Sequence, residues 1–206
     1  MNKIIEFAKE QLVNVTDQHD FFHAQRVAQM AIKIYRHEVK VVHQHDEDML
    51  LAMGYLHDTL AHHQEENEAF IETVQALLAE ENFTLGESSE IIRVMKHFAK
   101  FRNSLHKEAP LSFLGRCIND ADLLDALGAI GIARIFSYGA KHDQPLYDPE
   151  NRNNSVQYFY NKLLQLDQYM STLTGTKVAR QRIEFMRTYL VQFWADWEVD
   201  LPDSLK

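Results

Sequence analysis

LLAMGYLHD, residues 50 to 58, ends an apolar run on an imidazole and a carboxylate side by side. Met49, Leu50, Met53 and Leu56 recur at helical spacing, and Asp46 offers a cap, so the pattern predicts a helix carrying His57 and Asp58 in its last turn. A carboxylate on an apolar helix face needs a partner, and a cation is one. The same juxtaposition returns in INDADLLDALGAIG, residues 118 to 131, where Asp120, Asp122 and Asp125 interrupt a second apolar face.

Working outward, Ile4, Ile5, Ala8 and Leu12 predict a helix over residues 3 to 14. Asp17 and Asp20 are capping candidates before the next periodic run, which extends from Phe22 to about His37 and puts His23 and Arg26 within one turn. Amphipathic helices follow at 65 to 80 and 87 to 101, parted by the turn-prone Asn82 and Gly86. Residues 102 to 109 form a polar loop, and Pro110 can open the helix that carries the acids. The longest irregular stretch is 138 to 154, a length typical of functional or mobile loops. Helices over 155 to 171 and 177 to 197 close the chain.

At 206 residues the chain suits one compact domain, and its 7 Gly and 4 Pro leave few breaks for long helices. The formal net charge of -9 disfavours a nucleic-acid polymer, whose phosphates are held by clustered Lys and Arg. A small phosphorylated substrate is still compatible, because a bound cation and one or two Arg make a local positive site. The lone Cys117 and the charged N-terminus fit a cytoplasmic protein without a signal peptide. No window approaches ~18 uncharged apolar residues, so a membrane span is not expected.

His23, His57, Asp58 and Asp122 fall on three predicted helices and make a mixed imidazole and carboxylate set. Such a set suits one divalent ion among Mn, Mg, Co, Ni, Fe and Zn rather than a thiolate zinc site. A water on such an ion loses its proton near neutral pH while the ion polarises a phosphoryl oxygen, which outlines phosphoester or phosphoanhydride hydrolysis. With 11 His and 30 acidic residues, any one of these positions taken alone is weak evidence.

His23 with Arg26, GYLHD (54 to 58) and DADLLDALGAIGIAR (120 to 134) together resemble the HD-domain metal-dependent phosphohydrolase superfamily. Residues 155 to 197 are similar to the C-terminal helices of its small bacterial single-domain branch, so the resemblance covers nearly the whole chain. It implies an all-α, single-domain orthogonal bundle of roughly eight to ten helices. It also implies metal roles for His23, His57, Asp58 and Asp122, the last as the acid of an A-D-x-L string. Asp120 lies about 200° around the same helix, so both acids cannot face one ion. Asp120 is the second choice for the ligand, and otherwise a capping or supporting residue.

Close relatives imply nucleoside triphosphate pyrophosphohydrolysis, with a nucleotide as the small phosphorylated substrate. The alternatives are a non-catalytic metal and nucleotide sensor and a nucleoside monophosphate phosphatase. Asp58, Arg26 and His62 are the catalytic candidates. His62, with His63 beside it, stands where relatives have an acid or other polar group after the HD aspartate. Arg26 can bind a substrate phosphate through its planar fork or pair with Asp58 or Asp122. His97, Lys96 and Lys100 are candidates for holding a polyphosphate tail, although the two lysines, with Arg102, also read as an ordinary solvated helix face. Arg134 reads as a partner of Asp125, and His37, His43 and His45 as a surface loop. The oligomeric state stays open, a homodimer included.

Overall fold

The computed structural model describes residues 1–13, 19–62, 68–101 and 111–198, the side chains of His62 and Phe101 excepted. In chain order the helices are α1 (Asn2–Leu12), α2 (Phe21–Glu38), α3 (Gln44–Leu56), a 3-10 turn (Thr59–His62), α4 (Glu68–Glu80), α5 (Leu85–Phe101), α6 (Phe113–Asp125), α7 (Gly128–Lys141), α8 (Ser155–Asn161), a 3-10 segment (Leu163–Tyr169) and α9 (Leu173–Trp197). The protein is all-α, and no strand occurs among the described residues. No single described helix is long and apolar enough to cross a membrane.

The chain divides into two compact units: Met1–Asp122 with Ser171–Gly175, and Leu123–Met170 with Thr176–Lys206. In the first, α2 turns Ala24, Ala28 and Ala31 inward, a buried stripe of small side chains at helical spacing that lets another helix come close. That helix is α3, whose Gly54 lies against the Ala28 backbone. The core is completed by Ile4 and Leu12 of α1, Val74 and Leu78 of α4, and Ile91, Val94 and Met95 of α5.

In the second unit, α7 starts at Gly128, whose φ of 72° lies in the left-handed region that glycine enters without penalty. Phe136, Phe159, Tyr189 and Phe193 form an aromatic cluster, with ring centroids 5.9 to 6.4 Å apart. Arg134 Nη1 donates to Asp125 Oδ2 at 2.5 Å, the pairing its spacing implied. Arg182 Nη1 donates to the Leu124 carbonyl, so a cation meets the open C-terminal end of α6.

Several boundaries move. Asp46 does not cap α3, which begins at Gln44; it accepts a 2.5 Å hydrogen bond from the buried Tyr35 hydroxyl. The helix over 138 to 141 shortens the expected loop, because α7 continues to Lys141. The expected helix over 155 to 171 breaks at Lys162 and continues as 3-10 turns, whereas α9 begins at Leu173, four residues before its expected start at 177. Asp17, the loop at 102 to 109 and Pro110 lie outside the described residues.

Candidate metal centre

His23 owes its place to the start of α2. Asp20 caps that helix, its Oδ1 accepting from the His23 backbone N–H at 2.8 Å, and the His23 ring then turns fully into the interior of the first unit. The His57-Asp58 pair lies just past α3 rather than in its last turn: His57 is the C-cap residue. Thr59 Oγ1 closes the same end by donating to the Leu56 carbonyl. Ending the helix there releases Asp58 from the 3.6-residue period, so adjacent side chains can face one point. From α6, Asp122 comes in with a quarter of its side chain exposed.

The four converge. His23 Nε2 lies 3.2 Å from Asp122 Oδ1 and 3.4 Å from Asp58 Oδ2, and His57 Nε2 lies 3.2 Å from Asp58 Oδ2. His23, His57 and Asp122 offer ligand atoms that all lie within 4.8 Å of one another. Phe98 of α5 packs edge-on against the His57 ring, with centroids 5.0 Å apart.

Hydrogen bonding fixes what His57 offers. Its Nδ1 is 2.7 Å from the Gly54 carbonyl, which can only accept, so Nδ1 carries a proton and, in the neutral ring, Nε2 presents a lone pair. That buried Nε2 has no hydrogen bond and faces a carboxylate oxygen, itself an acceptor. A lone pair against a carboxylate, away from water, needs a positive partner, which is either a proton on Nε2 or a cation between the two groups. Burial pushes the His57 ring toward neutrality, but the Asp58 carboxylate outweighs it and raises the net pKa. Burial likewise opposes charge on Asp58 and Asp122, yet the imidazoles hold both below the usual carboxylate range.

The spacing fits an ion. Octahedral coordination at about 2.1 Å sets neighbouring donors about 3.0 Å apart, near the 3.2 to 3.4 Å seen here. A set of two imidazoles and two carboxylates suits a borderline or hard divalent cation.

Asp120 turns the other way. Its carboxylate accepts from the Ser171 and Thr172 backbone N–H groups, both at 2.8 Å, and from Thr172 Oγ1 at 2.7 Å. Thr172 in turn accepts from the Gly175 N–H, capping α9. Burial raises the Asp120 carboxyl against these donors. Asp120→Ala is therefore expected to lower stability by about 3 kcal/mol, the loss of several hydrogen bonds to a buried charge. Urea midpoints and Mn titrations check this: Mn affinity should stay within a few-fold of wild type. Loss of metal at unchanged stability would instead make Asp120 the ligand.

The remaining candidates are placed less closely. Arg26 is half-buried on α2, one turn after His23. His97 is part-buried on α5, its ring against Phe98 at 5.6 Å, and burial with Arg93 nearby lowers its pKa. Lys96 and Lys100 are exposed on the same helix. The side chain of His62, and all of His63 and Arg102, lie outside the described residues. His37 contacts the Lys33 carbonyl and His45 contacts Glu87, so these histidines are engaged separately.

One group at the centre was not singled out from sequence: His19, whose Nδ1 is 2.6 Å from Asp58 Oδ2. Its signal was the spacing of four to His23, but no helix extends back to residue 19, so spacing alone did not align them.

No protein-family model matches the sequence. An uncharacterized Bacillus subtilis protein, YpgQ, is 30% identical over 199 residues, 93% of this chain and 88% of YpgQ. The crystal structure of YpgQ in complex with ADP superposes with a TM-score of 0.73 at 27% identity, covering 98% of this chain and 95% of that one. An HD-superfamily hydrolase from Bacillus thuringiensis is 35% identical, covers 96% of both chains and gives a TM-score of 0.71. These likenesses cover nearly the whole chain, and on them the chain belongs to the HD superfamily of hydrolases.

Proposed function

We propose that His23, His57, Asp58 and Asp122 hold one divalent cation, and that the protein hydrolyses a nucleoside triphosphate, releasing pyrophosphate. The observation that carries the metal reading is the convergence of His23 Nε2, His57 Nε2, Asp58 Oδ2 and Asp122 Oδ1, two imidazoles and two carboxylates with contacts of 3.2 to 3.4 Å in a buried site. When bound, the ion supplies an acidified water as nucleophile and a Lewis acid for a phosphoryl oxygen.

The chain's own residues supply the rest. Asp58 and Asp122, held ionised by the surrounding imidazoles, bring two negative charges into a buried site. His57 and Phe98 wall the centre against water. Arg26, one turn from His23, is the candidate to meet a phosphate with its planar fork. Nucleotide as the substrate class is supported by YpgQ, which was crystallised with ADP.

The test strips the protein of metal, resupplies Mn, Mg, Co, Ni, Fe or Zn singly, and offers nucleoside mono-, di- and triphosphates. Pyrophosphate from triphosphates is expected. Orthophosphate from monophosphates would make the protein a nucleotidase. Stoichiometric metal and nucleotide binding with no product would make it a sensor.

A further inference from the structure

His19 precedes α2, with Asp20 as the cap between it and His23. Its side chain is a quarter exposed, its ring stands edge-on to that of His23 at 5.1 Å, and its Nδ1 is 2.6 Å from Asp58 Oδ2. His19, His23 and Asp58 also satisfy the spacing of a metal-binding triad, so two roles compete.

Distance decides between them. Donors sharing one ion at about 2.1 Å stand about 3.0 Å apart, as the other three contacts nearly do, whereas 2.6 Å is a charge-assisted hydrogen bond. A second ion in the triad fares no better. His23 Nε2 already faces Asp122 and Asp58, and one imidazole lone pair serves one cation. Among the described residues, that leaves a second ion only His19 and a shared carboxylate oxygen.

The hydrogen bond has something to hold. Asp58 lies in the turn after α3, beyond the helical ladder, so its side-chain angles are not set by helix packing. Its Oδ2 meets three imidazole nitrogens, at 2.6, 3.2 and 3.4 Å. A carboxylate oxygen has two lone pairs: with His19 on one, the other is directed between His23 and His57. We propose that His19 is a positioning residue for the metal centre, its Nδ1–H donating to Asp58 Oδ2 and holding that carboxylate in the rotamer that faces His23, His57 and Asp122. The inference rests on the metal reading above and adds to it an outer residue that fixes a ligand's orientation.

Mn titration of the metal-free full chain at one pH, followed by calorimetry and by the EPR signal of free Mn, tests it with no reference to turnover. His19→Ala is expected to weaken Mn binding about 10- to 100-fold, the usual consequence of losing a hydrogen-bond partner of a ligand. His19→Asn, whose amide nitrogen falls near the position of Nδ1, is expected to recover most of that affinity. Melting of the metal-free variants separates this from a folding defect, and rescue by His19→Asn would stand even where His19→Ala is poorly folded. Wild-type affinity in His19→Ala would overturn the proposal. So would His19→Asn binding no better than His19→Ala at an unchanged melting temperature. Two Mn per wild-type chain falling to one in His19→Ala would make His19 a ligand instead. Wild-type protein that takes up no Mn would overturn the metal centre itself, an outcome distinct from a failure of His19 alone.

Discussion

His57→Ala and Asp58→Ala proteins are expected to lose bound divalent metal and hydrolysis together. Both His57 nitrogens are committed, Nδ1 to the Gly54 carbonyl and Nε2 to the cluster, so removing the ring removes a metal donor together with the bond that orients it. Asp58 contributes charge as well as an oxygen, and it is the group on which the three imidazoles converge. Losing an outer partner of a ligand costs about 10- to 100-fold in metal affinity, so losing the ligand itself is expected to cost at least about 100-fold. Asp58→Asn is the sharper variant: it keeps the shape and an acceptor for His19 but removes the charge. Metal content after gel filtration, Mn titration and product release measured on the same preparations check the prediction, with far-UV circular dichroism to establish folding. One Mn per chain at wild-type affinity in His57→Ala would end the metal-centre reading. Metal lost with turnover intact would detach the chemistry from the ion.

What made the site legible was apolar context rather than the polar residues themselves. His57 and Asp58 closed a buried run, and Asp122 interrupted one, so each had to find a partner inside. Asp120 looked equivalent in that pattern, and helical geometry separated the two acids onto opposite faces before any partner was visible. Its actual partners, Ser171 and Thr172, lie 51 and 52 residues away, a pairing that no local period encodes. His19 escaped for a related reason. It stands outside α2 and reaches Asp58 across 39 residues.

Helix existence followed from periodicity, while helix ends followed from hydrogen bonds that periodicity does not report. Thr84 and Glu87 cap α5 reciprocally, the Thr84 N–H donating to the Glu87 carboxylate at 2.8 Å and the Glu87 N–H to Thr84 Oγ1 at 3.4 Å. The T-x-x-E string was in the sequence and would have moved the start of that helix from 87 to 85. Asn154 does the same for α8, accepting from the Gln157 N–H at 2.8 Å. Asp46 shows the opposite error. A good capping residue by type, it is drawn to the Tyr35 hydroxyl, because a buried phenol needs an acceptor and α3 can start one turn earlier without it.

Gly54→Ala is expected to destabilise the protein by about 2 kcal/mol, although alanine is ordinarily the better helix residue by about 1 kcal/mol. A Cβ on residue 54 would stand 2.4 Å from Ala28 Cα, 2.6 Å from its Cβ and 2.8 Å from its backbone nitrogen. Backbone cannot rotate aside as a side chain would, so relief requires α2 and α3 to move apart. Gly54→Leu is expected to cost about 3 kcal/mol or more on the same ground. Stability is not the only readout, because α2 carries His23 and the end of α3 carries His57 and Asp58. Separating the helices stretches the 3.2 to 3.4 Å contacts that match an ion, so Mn affinity should fall with stability even though Gly54 touches no candidate ligand with a side chain. Gly86 supplies the control: it lies in the first turn of α5, and a Cβ added there would meet nothing within 4 Å, so Gly86→Ala should be neutral or slightly stabilising and leave Mn binding alone. Urea unfolding and Mn titration of the two alanine variants decide the matter. Equal, favourable effects would mean that α2 and α3 are not held at backbone contact, and that the centre does not depend on the smallness of residue 54.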